Sequence, residues 1–261
     1  MLADYHMHTS FSDDSDYPME EEIKQAISLG LDEICFTEHV DYGVKTDLNC
    51  NYEEYIKEFK RCKEKYKDKI NIKLGIEFGM QVHTIGQCQK DFDKYDFDFV
   101  ILSCHQVDDK EFWTQDFQKG KTQKEYNEKY YEEILKVINK YEDYSVLGHL
   151  DMIKRYDEVG EYPFEKVKNI VIEILKHVIA NDKGIEINTS SFRYGLGDLT
   201  PSKEILKLYR ELGGNIITIG SDSHKEEHVG YNIQIVREEL KKLGYKQFCT
   251  FEKMKPIFHD L

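Results

Sequence analysis

Seven apolar, β-rich stretches alternate along this chain with charged stretches of helical period, and each apolar stretch carries a metal-capable side chain at or near the C-terminal end of its apolar run. The apolar stretches are LADYHMHT, LDEICFTEHV, INIKLGIEFG, FDFVILSCHQV, YSVLGHLDMI, GIEINTSSF and NIITIGSDSH. Between them lie segments such as MEEEIKQAISLG, YEEYIKEFKRCKEKYK, KEYNEKYYEEILKVINKYE and FEKVKNIVIEILKHVIA. Pro18 and Pro201 stand near helix starts, and Gly30, Gly213 and Gly244 follow periodic stretches, where a left-handed residue is wanted. Repeated β-then-α units without a long Pro/Gly/Ser linker predict an α/β fold with a parallel sheet in one domain over residues 1–261. The sheet either closes as a TIM-like barrel or stays open and doubly wound. The final LGYKQFCTFEKMKPIFHDL predicts a short closing strand and a tail.

In either architecture the C-terminal ends of parallel strands converge on one face, so residues far apart in sequence meet there. Those ends carry His6 and His8, Glu38 and His39, Glu77, His105, His149 and Asp151, Glu186, then Asp222 and His224. The two-residue period of a strand points His6 and His8 to the same side. A lone strand histidine is ordinarily a packing residue. Here six of the ten histidines occupy strand ends, and that coincidence needs a reason. His177 lies in a helical stretch, His228 in a polar segment and His259 in the tail, while His83 follows the third strand.

Six imidazoles among carboxylates are costly to bury unless they hold cations. Imidazole and carboxylate without a thiolate pattern suit Zn, Fe or Mn. The donors exceed what one tetrahedral ion needs, so two or three divalent metal ions are expected, with Glu77 bridging. The six cysteines are scattered without a CxxC pair, which predicts reduced, packed thiols. Lys plus Arg is 36 against Asp plus Glu 50, a net charge of −14 that disfavours long nucleic acid. Bound cations reverse that potential locally, so a small phosphorylated metabolite remains an acceptable partner. No apolar run is long enough to span a bilayer, and the N-terminus has no basic-then-apolar leader. A cytoplasmic protein without a membrane partner is expected.

HMHTSFSDD followed in order by TEH, GIE, SCH, GHLD and SDSH resembles the polymerase-and-histidinol-phosphatase (PHP) superfamily, over essentially the whole chain. GHLDMIKRY, EINTSSFR and the overall length most resemble its histidinol-phosphate phosphatases. The resemblance implies a distorted (β/α)7 barrel with a trinuclear metal site at the C-terminal strand ends. It assigns His6, His8, Glu77 and Asp222 to the first metal, and Glu77, His105 and His149 to the second. His39, His224 and an aspartate of the opening stretch take the third. Asp13 or Asp14 fits that last place, and Asp13 is favoured by the common spacing after the paired histidines.

The implied activity is hydrolysis of a small phosphate monoester, histidinol phosphate above others, by a hydroxide between the first two metals. Asp222, Glu77 and His39 form the implied catalytic group. Arg155 and Arg193, just beyond strand ends, are the implied phosphate contacts, with His83 in support. Glu186, Glu38 and Asp151 either meet the cationic end of the substrate or support ligating histidines. Two alternatives stay open. One is a PHP phosphoesterase for another phosphorylated metabolite or nucleotide, and another is a noncatalytic module using metal for stability. A carboxylated-lysine amidohydrolase also opens with HxH, but no lysine ends the fourth strand here.

Overall fold

A computed structural model describes residues 1–261. The seven apolar stretches become the parallel strands β1 (Ala3–Asp4), β2 (Glu33–Phe36) with its extension β3 (His39–Asp41), and β4 (Asn71–Gly79). They continue as β5 (Phe99–Ser103), which leads to a small ribbon of β6 (Gln106–Val107) and β7 (Lys110–Glu111). The set ends with β8 (Val146–Leu147), β9 (Gly184–Asn188) and β10 (Ile217–Gly220). The sheet order is β1-β2-β4-β5-β8-β9-β10, with β3 also on β4. Every pairing within it is parallel.

The sheet closes on itself. The Tyr5 amide donates to the Ile219 carbonyl at 3.0 Å, Asp222 to His6 at 2.8 Å, and His8 to Ser223 at 2.8 Å. This seam excludes the open doubly wound alternative and gives a near-closed seven-stranded barrel. Strands such as FVILS in β5 are buried along their whole length, because helices cover the outer face while side chains fill the inner one. The core forms one cluster of 67 buried residues.

A helix follows each barrel strand: α1 (Met19–Ser28), α2 (Tyr52–Tyr66), α3 (Ile85–Lys94), α4 (Gln123–Ile138), α5 (Lys168–Ala180), α6 (Lys203–Glu211) and α7 (Ile233–Lys242). Their starts follow local chemistry. Pro18 precedes α1, and Asn51 accepts from two free amides of α2. Thr122 and Glu125 form a reciprocal capping box on α4. No helix is long and apolar enough to cross a membrane. All six cysteines are buried and unpaired.

The chain end departs from the expected strand and tail. It is an antiparallel hairpin of β11 (Gln247–Glu252) and β12 (Lys255–Asp260). Lys253 and Met254 both take positive φ at its tip, as a tight two-residue turn requires. The hairpin packs against the barrel at the start of β5, where the Phe251 and Phe99 rings lie 5.1 Å apart. There the Phe251 amide donates to the Tyr5 hydroxyl at 2.8 Å. The opposite end of the barrel is left for the converging polar residues.

Candidate metal centre

Glu77 lies in β4 between the buried Ile76 and Phe78, with its own carboxylate fully buried at the barrel axis. Five imidazoles surround it. His39 Nδ1 and His149 Nε2 lie 3.0 Å from its oxygens, His6 Nε2 3.1 Å, His105 Nε2 3.3 Å and His8 Nε2 3.4 Å. Topology explains the convergence. His6 and His8 flank Met7, which pairs with Ser223 across the barrel seam, so strand alternation sends both imidazoles inward. His39 is the parallel partner of Glu77 in the β3–β4 ladder and therefore shares its side of the sheet.

Asp222 closes another side of the cluster, its Oδ1 3.6 Å from His6 Nε2, His8 Nε2 and His224 Nδ1. It holds a left-handed backbone at φ 56°, a conformation a non-glycine residue adopts only where its surroundings fix it. Arg193 supplies part of that fixing by donating to the carbonyls of Ser221 and Asp222, both at 2.8 Å.

The longer of these spacings, 3.3 and 3.4 Å at Glu77 and 3.6 Å at Asp222, match metal-ligand edges better than hydrogen bonds. Ligands about 2.0–2.1 Å from one tetrahedral ion lie roughly 3.3 Å apart. His8 Nε2 and His39 Nδ1 are buried without a hydrogen-bond partner although Glu77 is close by. His105 Nε2 and His149 Nε2 likewise face each other at 3.4 Å. Burial and the neighbouring His39 and His224 push His8 well below the usual histidine range, which favours the neutral, lone-pair form that binds cations. Burial opposes ionisation of Glu77, but His6, His105 and His39 outweigh it and hold the carboxyl far below its usual range. The donor set therefore fits divalent cations, shared across Glu77.

The PHP domain profile matches residues 4–190. The chain belongs to the PHP family. It is 36% identical to the histidinol-phosphatase of Lactococcus lactis, covering 97% of this chain and 95% of that one. It is 34% identical to a probable histidinol-phosphatase of Clostridium acetobutylicum, covering 100% and 97%. The crystal structure of the L. lactis histidinol phosphate phosphatase, complexed with zinc, L-histidinol and phosphate, superposes with TM-score 0.88 at 34% identity, covering 98% of both chains. A putative histidinol phosphatase of Listeria monocytogenes shares the fold at TM-score 0.78 and 20% identity, covering 89% of this chain and 99% of that one.

Around this PHP cluster, several residues occupy places other than those expected. Asp14, not Asp13, faces the outer histidines, with its Oδ2 3.2 Å from His224 Nε2 and 3.6 Å from His39 Nε2. Asp13 turns away to pair with Lys45 at 2.7 Å. His83 is half exposed and pairs with Asp109 at 2.9 Å; it does not line the cavity over the cluster. Glu186 is completely buried, contacts His6 Nδ1 and accepts from the His149 amide at 2.8 Å. It holds the His6 ring and the His149 backbone and does not line the cavity. Glu38 is spent on Thr9 and Ser12. Asp151 Oδ2 accepts from Lys154 and the Ser202 amide, and the residue does not line the cavity.

That cavity, about 610 Å³ in volume, opens over Asp14, His39, His105, His149, Asp222 and His224. Arg155 and Arg193 both line it. Arg155 donates to Ser190 Oγ at 2.7 Å, approaches Asp222 Oδ2 at 3.9 Å and stacks on the Tyr194 ring at 3.9 Å. Two contributors escape a strand-end reading. His228 belongs to a short 3₁₀ turn after β10 yet lines the cavity, its buried Nδ1 without a partner. Asp41 accepts from His105 Nδ1 at 2.8 Å and so sets the ring that Glu77 faces. Its signal was present, because Asp41 follows His39 by two residues in one extended stretch and shares its side.

Proposed function

We propose that the chain, acting as one domain over residues 1–261 in the cytoplasm, hydrolyses histidinol phosphate to histidinol and phosphate. The observation that carries this reading is one cavity whose floor is a multi-histidine cluster around Glu77 and whose wall holds Arg155 and Arg193. Neutral phosphate esters are not in question here; a monoester dianion suits a site combining metal ligands with two guanidinium groups. The relatives' activity and the zinc, histidinol and phosphate bound by the L. lactis protein support the same reading.

His6, His8, Glu77 and Asp222 would hold one ion, with Glu77, His105 and His149 holding a second. His39, His224 and Asp14 would hold a third. Zn, Fe or Mn fits these ligands. Bound divalent ions supply charge neutralisation and an acidic water at neutral pH. The protein's own groups do the rest. Arg155 offers its fork to phosphoryl oxygens beside Asp222, and Arg193 keeps the Asp222 backbone in place. Asp222 accepts and passes on a proton at the reacting face. Glu186 and Asp41 keep His6 and His105 in the orientation and tautomer that ligation needs.

A phosphate-release panel tests the substrate. Histidinol phosphate is expected to exceed a generic aryl phosphate by at least about tenfold in kcat/KM; equal rates would refute the assignment. The third ion has its own test. Asp14→Ala is expected to lower the bound metal by about one equivalent and activity by roughly tenfold, while Asp13→Ala keeps its metal. Elemental analysis of the two variants decides between them, and the reverse pattern would reinstate Asp13.

A further inference from the structure

Two carboxylates besides Asp222 line the cavity, Asp14 facing His224 and His39 and Asp41 facing His105. The groups suited to a cationic leaving group, Glu186, Glu38 and Asp151, all point elsewhere. The same lining carries three aromatic rings, Trp113, Tyr156 and Tyr194. Trp113, the only tryptophan of the chain, stands on the cavity wall in the loop after β7, with 37% of its surface exposed.

The indole is held in place before any substrate arrives. Lys45 Nζ sits 5.1 Å from its ring centroid, and Tyr156 meets its edge at 61° and 6.2 Å. Lys45 is itself anchored by Asp13 at 2.7 Å, which gives a use to the aspartate that turns away from the histidines. The two arginines instead cluster at Asp222. Tyr194 stacks on Arg155 at 3.9 Å, whereas Trp113 is met by Lys45 and Tyr156.

We infer that Trp113, steadied by Lys45 and Tyr156, is the specificity-determining wall for the leaving group, selecting phosphate esters whose alcohol carries a flat ring. This rests on the function proposed above. Stacking on a fixed indole rewards a planar ring and gives little to a short aliphatic chain.

A chain with a single tryptophan reports directly on this contact. Titration with L-histidinol is expected to change the indole fluorescence saturably, whereas inorganic phosphate alone leaves it nearly constant. In steady-state assays of the metal-loaded protein, Trp113→Ala should lower kcat/KM for histidinol phosphate by about tenfold. Its kcat/KM for O-phosphoethanolamine, which has no ring, should change by less than about twofold, and Trp113→Phe should recover most of the loss. Equal losses on both esters, an unchanged ratio between them, or no fluorescence response to histidinol would each overturn the inference. Failure of the underlying function looks different: the wild-type protein itself would not turn over histidinol phosphate, and both readings would fall together.

Discussion

Glu77→Gln is expected to lower kcat/KM by about 10⁴-fold or more and to strip the protein to at most one bound metal. Glutamine keeps the size of the side chain but loses its charge and one acceptor oxygen. Five histidine nitrogens lie within 3.4 Å of the two Glu77 oxygens, so no other residue stands between the ion sites in the same way. A neutral amide cannot offset two dications at that point, and the remaining imidazoles lose their shared anchor. The fold should survive, because the amide can hydrogen-bond to Ser103, which now donates to Glu77 Oε1 at 2.6 Å. Far-UV circular dichroism of the variant should therefore match the wild type while elemental analysis shows the loss. Full metal content with turnover within tenfold of wild type would remove Glu77 from the bridging role.

The parts of this site that sequence made legible are those fixed by topology. Parallel strands deliver their C-terminal ends to one place, and a two-residue period decides which side chains face inward. That geometry accounts for the inward placement of His39 and Glu77 and for the shared side of His6 and His8, whereas His105, His149, Asp222 and His224 stand just past their strands, with φ 20° at His149 and 56° at Asp222. The parts that stayed hidden depend on loops meeting loops. Asp13 and Asp14 are neighbours, and Lys45, 32 positions beyond Asp13, draws that residue away from the cluster. Glu186 alternates correctly between Ile185 and Ile187 in β9, but period cannot tell how deep in the barrel a residue sits. Its depth places it behind His6 and His149, out of reach of a substrate. His228 and Trp113 lie on irregular segments, where no period applies. The terminal hairpin was missed for a related reason, since Lys253 and Met254 take a turn usually written with Asn or Gly.

Gly79→Ala is expected to lower metal affinity or activity by about 100-fold, although the residue is itself no ligand. Gly79 ends β4 with ordinary extended backbone, so its lack of a side chain answers a need for space and not for conformation. In the β3–β4 ladder it is paired with Asp41, whose carboxylate lies over it. A Cβ there would fall 1.7 Å from Asp41 Oδ1 and 2.7 Å from His105 Nδ1. Asp41 is short, and its own amide is tied to Asn49 at 2.7 Å, so its carboxylate can escape only by rotating. Rotation breaks the 2.8 Å contact with His105 Nδ1 and frees the imidazole that faces Glu77. Crowding of this kind also costs roughly 1–3 kcal/mol of stability, visible as a Tm several degrees lower. The two effects separate in Gly79→Ala combined with Asp41→Ala. Removing the carboxylate relieves the clash and should return most of the lost Tm, while metal affinity stays low because His105 still lacks its acceptor. Wild-type affinity in Gly79→Ala, measured by competition with a chelator, would mean that Asp41 does not position His105.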